Sequence, residues 1–239
     1  MFEAEALGLS AIAGTGAIRV PRVYCTVTDE KCGAFLLMEN IENACQRSDY
    51  WETFGHRLAA MHMACASAFV QDGSFGFSGD NYIGVRSQDN TPGKSWIEFF
   101  RDRRLVPQFR DAMFCFEAED RKRIARLLDH LPEHLIEPEY PSLLHGDLWS
   151  GNFITDDRGE AMLIDPAVYV GHAEADLAMT ELFGRFHDDF YRAYAQVNPL
   201  QDGYRDRRDL YNLYHLLNHL NLFGSSYLPS VLHTISRYV

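Results

Sequence analysis

The sequence is short of basic charge, short of cysteine and without any long apolar run. Its 239 residues carry 22 Lys and Arg against 34 Asp and Glu, a formal net charge of −12. An acidic excess of this size repels nucleic acid and anionic membrane surfaces, so neither is expected as a partner, although a local basic site for a phosphorylated ligand stays open. The five cysteines, Cys25, Cys32, Cys45, Cys65 and Cys115, are odd in number, irregularly spaced and form no CxxC pair. That pattern argues against a disulfide frame or a zinc site and fits free thiols in a reducing compartment. The N-terminal MFEAEALGLS holds two glutamates and no basic segment, so it does not read as a signal peptide. No run approaches the roughly 20 apolar residues that span a bilayer. A cytoplasmic location is the expectation. Internal repeats and low-complexity segments are also missing.

What remains is ordinary globular composition, with 46% hydrophobic and 23% charged residues, enough for a sizeable core. The length suits one large domain or two lobes sharing a cleft. Residues 2–13 read as a helix stopped by Gly14-Thr15-Gly16. Two strand-like runs, 19–27 and 33–39, flank the polar turn Asp29-Glu30-Lys31 and predict a hairpin. Helical periodicity returns over 48–68, through Trp51, Phe54, Leu58, Met61 and Cys65. A Gly- and Asn-rich stretch, 71–94, reads as a loop. Helices are predicted at 95–115 and 117–131, then strands at 142–144, 153–155 and 161–164. Further helices follow at 174–184, 187–196 and 204–223, with a short tail. A small N-terminal piece with helix and hairpin therefore precedes a larger, mainly helical one, with the boundary near 40–47.

The chemistry concentrates in LLHGDLWSGNF, residues 143–153. Asp147 and Asn152 are five apart, and Asp165 follows at the end of Ala-Met-Leu-Ile. D-x-x-x-x-N followed by a second Asp is the pattern of kinase catalytic loops. One carboxylate accepts the proton of an attacking hydroxyl, while an amide oxygen and a second carboxylate, both hard ligands, hold Mg²⁺ against nucleotide phosphates. Gly146 and Gly151 allow a tight loop. Asp and Asn also commonly cap turns, but turn-capping does not explain all three at these spacings.

HGDLWSGN, followed by IDPAVYVGHAEADLAM (164–179), resembles the fructosamine kinase family, the ketosamine-3-kinases, within the wider aminoglycoside-phosphotransferase and protein-kinase-like fold. Asn81-Tyr-Ile-Gly84, Trp96-Ile-Glu-Phe-Phe100 and Leu213-Tyr-His-Leu-Leu-Asn218 extend the likeness through most of residues 2–224. The resemblance implies an α+β, two-lobed kinase-like fold, with residues 1–41 as a partial N-lobe and hinge and 42–239 as the C-lobe. It implies ATP and Mg²⁺ as cofactors and a ketosamine substrate, free or protein-linked, such as a fructosamine or ribulosamine, in the repair of glycated amines. Asp147 becomes the base, and Asn152 and Asp165 the metal ligands. Glu39 and Ile41 pair with adenine, and Glu5 is the helix glutamate that meets the nucleotide-binding lysine. Trp149 stacks in the ketosamine pocket near Tyr169 and His172. Asp176 braces the catalytic loop.

The family's Gly-rich loop and lysine precede the helix that here begins at Phe2, so the resemblance implies an N-terminally truncated chain. It also implies a sheet edge left open to pairing, and activity reduced by the missing cation. Gly14-Thr-Gly16 is no substitute, because it follows a helix and precedes a strand. Two other readings are carried forward: a pseudokinase-like binding module, and a phosphotransferase of the aminoglycoside or choline kinase type. A metallohydrolase built from His145, Asp147, Asp165, His172 and Asp176 leaves Asn152 unexplained. His62 reads as a packed core histidine. His215 and His219 have a metal-binding spacing but no third ligand nearby.

Overall fold

The structure is a computed structural model that describes residues 1–29, 31, 33–70 and 73–239. Glu30, Cys32, Gln71 and Asp72 lie outside the described residues, and with them part of the expected hairpin turn, one of the five thiols and the start of the expected loop. Cys25, Cys45, Cys65 and Cys115 are free thiols.

Helix α1 spans Phe2–Gly14 and buries Leu9 and Ile12, with Glu3 and Glu5 in its first turn, where carboxylates favour the helix dipole. It ends where Thr15 and Gly16 N–H groups bond the Ile12 and Ala13 carbonyls. Strands β1 (Val23–Asp29) and β2 (Gly33–Met38) pair antiparallel, with Val27 opposite Phe35. This ribbon exposes Tyr24, Val27, Phe35 and Leu37. Residues 39–47 cross without regular structure to the larger part of the chain.

There, α2 (Tyr50–Met63) and α7 (Asp188–Val197) pack together. Their shared aromatic core places Phe54 5.1 Å from both the Phe153 and Phe190 rings. Helices α6 (Glu174–Leu182), α8 (Tyr204–Phe223) and α9 (Leu228–Ser236) complete the bundle, with α5 (Ala118–His134) against α9. Among the described residues no helix is long and apolar enough to cross a membrane.

Three local differences from the sequence reading have physical causes. The expected loop at 71–94 contains a hairpin of β3 (Asn81–Ile83) and β4 (Arg86–Gln88), held by side-chain amides instead of alternating apolar residues. The expected helix at 95–115 is broken into α3 (Trp96–Phe99), a π-turn (Phe100–Leu105), α4 (Val106–Asp111) and a 3₁₀ turn (Met113–Cys115). Pro107 has no N–H for the Arg103 carbonyl, which accepts instead from the Arg104 guanidinium at 3.1 Å. Finally, β5 (Ser142–Leu144) pairs with β8 (Tyr169–Gly171), which is too short to show a period.

The hairpin of β6 (Phe153–Thr155) and β7 (Ala161–Leu163) leads from the LLHGDLWSGNF loop to Asp165. The Leu163 N–H donates to the Arg19 carbonyl at 3.0 Å, tying this hairpin to the segment after α1.

Candidate active site

The catalytic-loop segment His145–Asn152 is suspended between β5 and β6. Its backbone hangs on one buried carboxylate: the His145 and Gly146 N–H groups donate to the two oxygens of Asp176 at 2.7 and 2.9 Å. His62 reaches Asp176 from α2 at 3.2 Å and places its other ring nitrogen 2.7 Å from the Tyr194 hydroxyl. Burial pushes the Asp176 carboxyl up. The His62 hydrogen bond, the His62 and His145 charges and the Gly146 N–H outweigh it and hold the carboxyl below its ordinary range. His145 is itself fully buried and bonds the Ile164 carbonyl at 2.9 Å, while its own carbonyl accepts from Ala167 N–H.

Gly146 lets these segments meet. Its φ is +82°, and a Cβ there would lie 2.1 Å from the Ala167 carbonyl oxygen, so no other residue fits. Gly151 has a different task, because a Cβ would lie 2.4 Å from the Trp149 indole, which folds back over the loop. Gly151→Ala should therefore expel Trp149 from its seat and leave the remainder of the loop in place. The check is a shift in tryptophan emission with an unchanged melting temperature; an unchanged spectrum would refute it.

Asp147, Asp165 and Glu5 line one cavity with Asn81, Tyr82, Gly84 and the first residues of α1. Asn152 Nδ2 donates to the Asp147 carbonyl and to its carboxylate, at 2.8 and 3.0 Å, which leaves the Asn152 amide oxygen as the open acceptor. Asp165 is exposed and is the one non-glycine residue with positive φ, +52°, among the described residues. Backbone strain of this kind persists where surrounding structure imposes it, commonly at functional sites. Burial and the Asp165 charge raise the Asp147 carboxyl to about 7, against a lowering by the Asn152 hydrogen bond. Burial and Asp165 likewise raise Glu5. The cleft thus brings three carboxylates, Asp147, Asp165 and Glu5, to one cavity. It suits a bound cation chemically.

The hard oxygen donors of Asn152 and Asp165 fit Mg²⁺. No group of three or more His, Cys, Asp and Glu side chains converges on a metal position among the described residues.

Other expected site residues fall elsewhere. Glu39 and Ile41 line a separate cavity of about 480 Å³ with Asn40, Glu42 and Asp157. Trp149 faces solvent and meets Phe183 edge-on, at 6.4 Å between ring centres, and Phe183 lies 4.6 Å from His219. Tyr169 and His172 are buried apart from it. Arg104 covers the Tyr169 ring at 4.0 Å, and His172 lies 6.2 Å from Trp96, its Nε2 3.1 Å from the Gln201 side-chain oxygen. Strand β8 is buried on both faces, and the Tyr169 ring packs beside Gly146 of the loop, where a Cβ would lie 3.3 Å from it. Tyr169 and His172 share Trp96 as a ring neighbour, at 6.5 and 6.2 Å, whereas the ring that Trp149 meets is Phe183.

Burial pushes His172 and His215 down to about 3, with Arg207 and His219 adding to the respective effects. Both are neutral when folded and take up a proton on unfolding below about 6.5. Stability is therefore full above that value and falls as pH drops toward 3, by about 1.4 kcal/mol per pH unit for each histidine. Asp147 and Glu174, raised by burial, act in the opposite sense. Melting temperature should fall between about pH 7 and 5, less steeply in His172→Asn. Identical slopes would refute the assignment for His172.

A strand-led loop bearing a carboxylate and an amide, a hairpin ending in a second carboxylate and a brace from the following helix define a kinase-like phosphotransferase. The fold agrees: an aminoglycoside phosphotransferase crystal structure superposes with a TM-score of 0.61 at 15% identity, covering 98% of this chain and 84% of that one. A crystal structure from Thermobifida fusca carrying a fructosamine-3-kinase designation gives a TM-score of 0.86 at 38% identity, over 99% of this chain and 79% of that one. The fructosamine kinase family model matches residues 1–239, and the chain belongs to that family. Similar sequences include a chloroplastic protein-ribulosamine 3-kinase of Oryza sativa subsp. japonica, 42% identical over 100% of this chain and 69% of that protein. A Synechocystis protein named as a probable ketoamine kinase is 43% identical over 95% of this chain and 75% of its own length.

Proposed function

We propose that this chain transfers the γ-phosphoryl group of ATP to the 3-hydroxyl of a ketosamine, a fructosamine or ribulosamine, free or attached to protein, as a step in repair of glycated amines. The observation that carries the reading is the setting of Asp147. It is a partly buried carboxylate raised to about 7, in one cavity with Asp165 and hydrogen-bonded by Asn152. The names of the similar proteins support the same acceptor class.

In this reading Asp147 orients the acceptor hydroxyl and takes its proton as the O–P bond forms. Asn152 holds the carboxylate with its amide nitrogen and presents its oxygen, with Asp165, to Mg²⁺. When bound, Mg²⁺ neutralises charge on the transferring phosphates. Trp149, Phe183 and His219 give the sugar ring an apolar face on which its C–H groups stack. Glu5 lies toward the phosphate end of the cleft, and Glu39 and Ile41 offer backbone groups to adenine from the strand-to-lobe crossing. Residues 1–41 act as the small lobe over the larger one, 42–239.

The test is to incubate the chain with Mg-ATP and peptides bearing fructosyl-lysine, ribulosyl-lysine or unmodified lysine, reading phosphate position by ³¹P NMR. Phosphate on O3 of a ketosamine, and none on the unmodified peptide, is the expected result. Nucleotide binding by thermal shift with no ketosamine phosphorylated would replace this reading with a non-catalytic binding lobe. Transfer to an aminoglycoside or choline instead would replace the acceptor.

A further inference from the structure

Helix α8 presents a histidine, His215, to the Asp147 carboxylate. His215 is 5% exposed, and its Nδ1 is buried without a hydrogen-bond partner among the described residues. The same atom lies 3.7 Å from Asp147 Oδ1. A buried imidazole N–H left unpaired is destabilising, so a buried nitrogen aimed at a carboxylate calls for an account.

On the helix Tyr214, Asn218 and His219 are engaged, whereas Asn212 Oδ1 is buried without a partner among the described residues. The Tyr214 hydroxyl donates to Gln88 at 2.7 Å, Asn218 accepts from Gln108 at 3.3 Å, and His219 Nδ1 bonds the His215 carbonyl at 2.8 Å. Asp147 Oδ1 is the carboxylate oxygen that faces His215 Nδ1, at 3.7 Å. Asn152 already holds Oδ2 of the same carboxylate at 3.0 Å.

We propose that His215 is a positioning residue: its Nδ1–H donates to Asp147 Oδ1 and, with Asn152 on Oδ2, fixes the carboxylate plane toward the acceptor hydroxyl. Each oxygen keeps a second lone pair, so the base remains free to take a proton. Asn152 belongs to the loop, whereas His215 belongs to a core helix. The pair anchors the carboxylate to both, and α8 thereby transmits the rigidity of the bundle to the reacting group. The inference rests on the kinase reading for its kinetic consequence, but not for the hydrogen bond.

Two measurements decide it. ¹⁵N-histidine spectra of the full chain should show His215 as the neutral Nδ1–H tautomer, a result independent of any substrate. A neutral Nε2–H tautomer would overturn the proposal even if ketosamine phosphorylation is confirmed. If no acceptor is turned over, the tautomer still decides the placement and the failure falls on the proposed function alone. In the kinetic arm, His215→Leu should lower kcat about 30- to 100-fold, as misplacement of a reacting group does, with KM for Mg-ATP within about twofold. His215→Asn, whose amide nitrogen replaces Nδ1, should recover kcat to within about fivefold of the parent. A Leu variant with near-parental kcat, or an Asn variant as slow as Leu, would overturn the assignment.

Discussion

Asp147→Asn is expected to abolish phosphoryl transfer and, in the same protein, to raise the melting temperature. The first effect follows from loss of the proton acceptor, worth about 10²–10⁴ in rate. The second follows from the crowding of the cleft: burial and the charges of Asp165 and Asp176 oppose ionisation of Asp147 and carry it from 3.8 to about 7. That displacement corresponds to on the order of 4 kcal/mol against the ionised form before solvent screening at the cleft mouth, and about 1–2 kcal/mol is the expected net gain. An amide keeps the acceptor for Asn152 and removes the charge. Because the folded state binds the extra proton between 3.8 and about 7, the advantage of Asn is full above that window and vanishes below it. Thermal unfolding should show a rise of about 3–6 °C near pH 8 that shrinks toward pH 4. A melting temperature equal to the parent's at both pH values would mean that Asp147 is not strained by its neighbours.

Asp176→Ala is expected to damage both fold and turnover. The carboxylate takes the His145 and Gly146 N–H groups and His62, all inside the core. Without it these donors are buried and unpaired, at about 1–3 kcal/mol each, less what relaxation recovers. A loss of about 4 kcal/mol, or roughly 10 °C in melting temperature, is the expected result. Asp176→Asn should fall between, since an amide accepts from one backbone N–H and repels the other. A change under about 2 °C in Asp176→Ala would show that the loop is held by its glycine turn and strands alone. His62→Phe should reproduce part of the loss, removing one donor and leaving both backbone bonds.

Most of the fold was legible because its long helices carry their own signals. The 204–223 helix has the predicted limits, bounded by Gly203 and Gly224. The loop-and-hairpin around Asp147 was legible from spacing, with the β6–β7 strands within a residue of expectation. The β3–β4 hairpin was not, because three-residue strands show no period, and its stability comes from Asn81 and Gln88. These donate to the Val168 and Ala167 carbonyls at 2.7 and 3.1 Å, contacts 87 and 79 residues distant in sequence. His62 read as a packed core histidine, and it is one. Its two partners, Tyr194 and Asp176, lie 132 and 114 residues away, so no local pattern shows that it supports the catalytic loop.

The sequence by itself determined the reaction class. Asp147, Asn152 and Asp165 are specified by spacing within a short segment, and local chain geometry keeps such residues together whatever surrounds them. Tertiary structure alone decided which aromatic groups border that segment. Tyr169, under Arg104, and His172 are both drawn toward Trp96 in the core. Phe183, His219 and His215 take the places around Trp149 and Asp147, because the packing of α6 and α8 sets which helix faces meet the loop.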